Sequence, residues 1–350
     1  MGNTSLAVKG NSIHKPDFTV YTEMQDYLAV NHIGRTPNTS IDDLFDKFQA
    51  EARGEIRNIQ LPYPQLNRGV GNGLALRNIT AVVAPPGASK TWWIINVLIY
   101  AWNQGFTWCY QGLEDSAELW IQKFMAAKLC DWRIVAQPDS DVLEERRRLA
   151  EHKRQANEAN REFLDVLYKC VFENPRIVSD PATGEIRAEV DYEDILSFIE
   201  GAAEKTNLIV IDPVSQIDFS EDGRDYVGQA KFMQRLTAIV ARNPVHVIIV
   251  VHTAKQTPYG GDPTSSVGGT SKFTQLAQNV LMLQRHDPAI EDEIYNAFTE
   301  TIEHKLTMTV VKSRSGMSGQ KFAYDFLKEG PCFREHGLIK LKAAKRKVGQ

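Results

Sequence analysis

The sequence predicts an α/β fold, a mainly parallel sheet flanked by helices, and three observations carry that prediction. Leu208-Ile209-Val210-Ile211 is an apolar run without alternation, the pattern of a strand buried on both faces, and Val245 to Val251 reads the same way. These runs end in Asp212 and His252, polar residues at the carboxyl ends of strands, where open α/β sheets bind their ligands. Helical periodicity over Tyr192 to Ala203 and Val227 to Arg242 separates the strands, as a parallel sheet requires of its crossovers.

Composition sets the outer limits. With 350 residues, 43% of them hydrophobic, the chain can bury a full core and reads as one main domain with appendages. A net charge of −4 is no polycation, so contact with nucleic acid needs a local patch or a shared channel. Cys109, Cys130, Cys170 and Cys332 are widely spaced and form neither CxxC nor Cys/His patterns; reduced core thiols and a cytoplasmic location are expected. No apolar run reaches the roughly 20 residues of a membrane span, and no secretory leader is visible at the N-terminus.

Residues 1–60 read as a flexible N-terminal arm with one or two short helices, over Thr22 to Ile33 and from Ser40. In the second helix Ile41, Leu44, Phe45 and Phe48 share a face that docks on its own domain or on a neighbouring subunit. The main domain spans 61–341. Ile79 to Val83 is its first strand, a helix follows to about Gln104 and stops at Gly105, and Phe106 to Leu113 is the next strand. A helix to Leu129 then opens on Glu114-Asp115-Ser116-Ala117-Glu118-Leu119; Asp115 or Ser116 serves as N-cap with Glu118 as capping-box partner, which leaves Glu114 unexplained. Residues 136–190 form a charged, largely helical insertion whose acids alternate with its bases. After a glycine-rich loop over 253–269 come strands at Asn279 to Gln284 and Leu306 to Val311. A C-terminal β-hairpin follows, with Lys312 and Arg314 at its tip and a returning strand from Gln320. Residues 342–350 are a basic tail.

Between the first strand and its helix lies Ala84-Pro85-Pro86-Gly87-Ala88-Ser89-Lys90-Thr91. Strand, loop and helix in that order, ending in Lys-Thr, read as a phosphate-binding loop, in which backbone N–H groups curl around phosphate and the lysine reaches its oxygens. Ala84 and Ser89 stand where the usual pattern has glycines, and Ser89 is the sharper departure, because backbone approaches phosphate there and a Cβ must be accommodated. A plain turn after a strand would explain the loop alone; the downstream strand ends decide for phosphate.

The loop, Glu114, Asp212 and His252 fall at strand ends in an order that resembles the RecA-like P-loop NTPase core of hexameric replicative DNA helicases, the DnaB-like and plasmid RepA-like ATPases. Leu113-Glu114-Asp115-Ser116, Val210-Ile211-Asp212-Pro213-Val214-Ser215, Val251-His252-Thr253-Ala254-Lys255, Gly268-Gly269-Thr270-Ser271 and Lys312-Ser313-Arg314 carry the resemblance, over roughly Leu61 to Phe326. It implies ATP and Mg²⁺ as cofactors. Ala84 to Thr91 would hold the nucleotide, Lys90 the β- and γ-phosphates, and Thr91 and Asp212 the metal. Glu114 would activate water and His252 sense the γ-phosphate, while Arg314 with Lys312 would reach into an adjacent subunit's site.

The resemblance also implies a homo-oligomer, a hexameric ring, moving on single-stranded DNA held by loops after Asp212 and His252, with Arg224, Lys255, Tyr259 and Lys272 as candidate contacts. The acidity of Glu221, Asp222 and Asp225 in the first loop speaks against DNA there. A primase or a loader is among the implied partners, no membrane is, and the chain looks like a stand-alone motor core. The implied activity is ATP-dependent DNA unwinding in replication; the alternative is a non-unwinding RecA-like ATPase, such as a recombinase, a helicase loader or a nucleotide-dependent assembly switch.

Overall fold

The computed structural model describes residues 57–137, 142–173, 177–179, 186–188, 190–220, 225–253, 271–296 and 298–340, together with 45, 46, 49, 50 and 53. Residues 1–57 and 58–350 form separate units. Residues 45, 46, 49 and 50 are helical, within the helix expected from Ser40. The helix expected over 22–33, the basic tail and the candidate DNA contacts Arg224, Lys255 and Tyr259 lie outside the described residues.

Strands β1 (Asn78–Ala84), β2 (Trp108–Gly112), β3 (Val171–Glu173), β7 (Leu208–Asp212) and β9 (His246–His252) run parallel in the order β1-β9-β7-β2-β3. Their side chains alternate between two cores. In β1, Ile79, Ala81 and Val83 face one cluster, while Val82 and Ala84 face the other. With both faces covered, the polar-apolar alternation of a half-exposed strand vanishes, which is why these runs read as uniformly apolar.

Helices α2 (Lys90–Asn103) and α3 (Ala117–Leu129) cover one face, burying Trp93, Ile94, Leu98, Trp120 and Phe124. Helices α6 (Tyr192–Ala203) and α7 (Asp225–Arg242) cover the other. A short helix, α1 (Pro64–Gly69), precedes β1. Within 136–190, α4 (Leu143–Ala159) buries none of its residues, whereas α5 (Arg161–Leu167) anchors Leu167 and sets Phe163 against Trp102 at 5.3 Å. Short strands β4 (Ile177–Ser179), β5 (Ile186–Ala188), β6 (Val190–Asp191) and β8 (Ile217–Asp218) form two small separate ladders.

The C-terminal region carries more strand than its sequence announces. β10 (Asn279–Asn296) runs parallel to β1 and then pairs along an antiparallel ribbon with β11 (Phe298–Ser313). The strands expected at 279–284 and 306–311 are therefore only the inner ends of much longer ones. Their outer ends bury one face, with Asp292 and Ile294 inward and Glu291, Glu293 and Tyr295 outward, so their apolar signal is sparse. β12 (Lys321–Phe326) is the expected returning strand; β13 (Phe333–Ile339), unexpected, pairs with β12 and meets β10 at Ile294 and Tyr295. Tyr63 ties this region to α2, stacking near Trp93 at 6.0 Å and meeting Tyr324 edge-on at 5.1 Å.

His246, at the start of β9, is fully buried. Its Nδ1 lies 2.7 Å from the Ala75 carbonyl, which can only accept, so Nδ1–H donates there and Nε2, 2.9 Å from Thr80 Oγ1, accepts the hydroxyl proton. Burial pushes its pKa down to about 4, below the ordinary 6.5. A depressed base makes its stability contribution in full above 6.5 and loses it as pH falls from there toward 4. Unfolding by urea at stepped pH is expected to show a loss approaching about 3 kcal/mol across that window, flattened in His246→Gln; an identical profile in the variant would clear His246.

Candidate functional site

Ladder register sets the site. Ala84 pairs with His252 and Gly112 with Asp212, so the carboxyl ends of β1, β9, β7 and β2 form one rim. The loop after β1 turns through Gly87 (φ 75°) and Ser89 (φ 70°) into α2. Lys90, on the first turn, is buried, and its Nζ donates to the Pro85 carbonyl at 3.1 Å, one acceptor for three donors. Burial lowers its pKa, with Asp212 and Glu114 opposing. No side chain caps α2, so its first backbone N–H groups point into the same space, a feature that favours anions.

Ser89 adopts the left-handed conformation that favours glycine, and its hydroxyl caps nothing. Left-handed backbone costs an L-residue roughly 1–2 kcal/mol, against about 0.5–1 kcal/mol for the extra freedom glycine gains when unfolded. Ser89→Gly is therefore expected to stabilise the chain by up to about 1 kcal/mol in urea unfolding, with nucleotide affinity retained. Loss of nucleotide binding would instead make the hydroxyl a ligand contact.

Asp212, at the end of β7, is nearly inaccessible. Its Oδ2 accepts from Tyr110 Oη at 3.0 Å and lies 3.4 Å from Thr91 Oγ1. Burial raises its pKa to about 6; the Tyr110 bond and Lys90 resist, and Asp115 and Glu114 add to the rise. Glu114 stands two residues beyond β2, with its side chain 60% exposed and Oε2 3.7 Å from His252 Nε2. Burial, then Lys90, lowers the His252 pKa, and Glu114 opposes.

The opening of α3 separates Glu114 from capping. Ser116 is the N-cap, accepting from the Leu119 N–H at 3.3 Å; Asp115 pairs with Lys123 at 2.5 Å; and Glu173 accepts from the Ala117 N–H. Glu118 stands at the second helical position, one short of a capping-box partner, so that expectation is corrected. Tyr110 went unread because an aromatic residue inside an apolar strand signals core. It does stack on Trp120 at 4.2 Å, and only its hydroxyl reaches the site.

Lys90, Thr91, Glu114, Asp212 and His252 thus come together, and Lys312 and Arg314 do not join them. Asn279 pairs with both Thr80 and Ser313, which sets the hairpin tip beside the beginning of β1, opposite the end that leads into the Ala84–Thr91 loop. Arg314 is exposed there. Lys312 Nζ donates to the carbonyls of Thr274, Gln275 and Ala277 at 3.1, 2.7 and 2.7 Å, closing the end of α8 (Ser271–Leu276). Lys272 lies in the first turn of α8, half-buried. Beside the Ala84–Thr91 loop, a cavity of about 850 Å³ is lined by Ser89, Trp92, Trp132, Arg285, Lys305 and Phe326 among others.

Two solved structures share this arrangement of strands and helices. The first, described as an ATPase domain, superposes with a TM-score of 0.60 at 16% identity, covering 87% of this chain and all of that one. The second, a DnaB-like replicative helicase described with its interactions with primase, also gives 0.60, at 15% identity over 90% of this chain and 71% of that one.

The fold is that of a DnaB-like helicase ATPase domain.

No protein-family model and no curated protein matches the sequence, so the DnaB-like likeness is one of fold. The parallel strands, flanking helices and C-terminal hairpin expected from sequence are those of this DnaB-like fold. No helix among the described residues is long and apolar enough to cross a membrane.

Proposed function

We propose that the chain is an ATP hydrolase that works as a homo-oligomeric ring, a hexamer, translocating on single-stranded DNA and unwinding duplex during replication. One observation carries the reading: a buried lysine, a hydroxyl, two carboxylates and a histidine converge at the ends of adjacent parallel strands, next to an uncapped helix N-terminus.

Mg²⁺ fits this donor set. Thr91 Oγ1 and Asp212 Oδ2 are hard oxygen ligands 3.4 Å apart, and the raised pKa of Asp212 marks a carboxylate whose charge Lys90 and Tyr110 only partly compensate. When bound, the ion offsets charge on the phosphate oxygens. Lys90 holds the β- and γ-phosphates against the amides of the loop. Glu114, exposed and free of capping duty, orients water and takes its proton. His252 links Glu114 to the γ-phosphate. The cavity walled by Trp92, Trp132 and Phe326 offers the base an aromatic floor. A primase or a loader is a candidate partner.

Strand displacement on a forked DNA duplex, with ATP present, tests the whole reading; DNA-stimulated ATP hydrolysis without displacement would instead select the non-unwinding RecA-like alternative. Lys90→Ala is expected to weaken ATP binding on the order of 10²-fold in equilibrium titration, the value of ionic hydrogen bonds to phosphate. Unchanged affinity would remove the loop from the site.

A further inference from the structure

Two of the widely spaced cysteines meet in the fold. Cys130 closes α3 in a left-handed conformation (φ 51°), with its N–H donating to the Ala127 carbonyl at 3.2 Å. The thiol of Cys332, in the turn between β12 and β13, donates to the same carbonyl at 3.2 Å, and the nearness of Cys130 raises its pKa. Backbone fixes the approach from both sides. Trp132 N–H reaches the Glu329 carbonyl at 3.4 Å, and a Cβ on Gly330 would overlap the Cys130 carbonyl carbon, so only glycine lets the turn lie so close. Cys332 N–H donates back to Gly330 at 2.8 Å, holding its side chain toward α3.

We propose that Cys130 and Cys332 are a thiol pair that a two-electron oxidant of the low-molecular-weight disulfide class closes into a disulfide. Burial, with the Cys130 contact adding to it, pushes the Cys332 thiol up to about 12, which makes it a poor first nucleophile. The Cys130 thiolate displaces one thiolate from the oxidant and forms a mixed disulfide. Cys332 then loses its proton, attacks the Cys130 sulfur and expels the second thiolate. Two electrons pass from the pair to the oxidant, one S–S bond breaks for the one formed, and two protons end on the two released thiols.

The bond would fasten more than two sulfurs. Asn96, inside α2, donates from Nδ2 to the Pro331 carbonyl at 3.0 Å and accepts from the Phe333 N–H at 3.3 Å, so the turn that carries Cys332 already grips the helix that begins with Lys90 and Thr91. Closing it on Cys130 joins that helix to α3, whose opposite end follows Glu114 and Asp115. Oxidation then fixes the two helices that present the rim relative to the C-terminal strands.

The full-length chain is incubated with oxidised glutathione, alkylated and mapped by mass spectrometry without reduction. The expected product is one cross-linked peptide pair containing Cys130 and Cys332, lighter by about 2 Da than the two thiol peptides. It should form at least about tenfold faster in native protein than in the same chain unfolded in urea, because the fold presents the sulfurs to each other. Cys332→Ser should stop at the mixed disulfide on Cys130, and Cys130→Ser should give no link. Native protein that leaves both thiols alkylatable, links Cys109 to Cys170 in their place, or links no faster than the unfolded chain overturns the proposal.

Discussion

Replacing Arg314 by alanine is expected to leave the chain able to assemble and bind ATP while turnover falls by roughly 10³- to 10⁵-fold, the effect of losing an arginine that stabilises a transferring phosphoryl group. Geometry makes the claim specific to an oligomer. Ser313 stands opposite Asn279, which pairs with Thr80, and the candidate phosphate loop begins at Ala84. The four residue steps of extended strand from Thr80 to Ala84 put about 13 Å along β1 between the hairpin and its own loop, more than an arginine side chain spans. An Arg314 that acts on nucleotide would therefore act at a second copy's site. Mixing Arg314→Ala with Lys90→Ala chains should restore part of the activity, since some interfaces would pair an intact loop with an intact Arg314. Mixed rings no more active than either parent would falsify the assignment, and a solvated cation worth little would remain.

Glu114→Gln should separate binding from chemistry. The carboxylate is more than half exposed and caps nothing, so its loss should leave stability and ATP affinity unchanged. As the group assigned to take the proton of water, its removal should slow turnover by about 10²- to 10⁴-fold. Single-turnover hydrolysis beside equilibrium nucleotide titration gives both numbers on one preparation. Parallel loss of affinity and rate would return Glu114 to a structural role.

What the sequence showed of this fold follows from how each part is buried. β7 and the helix over 192–203 were read to the residue because each has one dominant signal, unbroken apolarity in the first and an apolar stripe in the second. The outer ribbon of β10 and β11 buries one face with mixed chemistry, Asp292 and His304 among its inward residues, and so gave no period-two apolar pattern. In the site, Lys90, Thr91, Glu114, Asp212 and His252 were legible because chemistry placed at strand ends leaves polar residues where an apolar run stops. Tyr110 was hidden because one atom of an otherwise packed ring does the work. The meeting of Cys130 with Cys332 was hidden too, since spacing along the chain says nothing of a contact made through tertiary packing.

Lys312 has a consequence for how the molecule opens. A six-residue helix has too few internal hydrogen bonds to persist alone, and the terminal carbonyls of α8 are held by an ammonium that belongs to β11. Helix and hairpin are therefore one cooperative unit in local unfolding: α8 cannot fray without releasing the strand end that carries Arg314, and the hairpin cannot swing without uncapping α8. The three bonds from Lys312 thus join the stability of α8 to that of the strand end leading to Arg314.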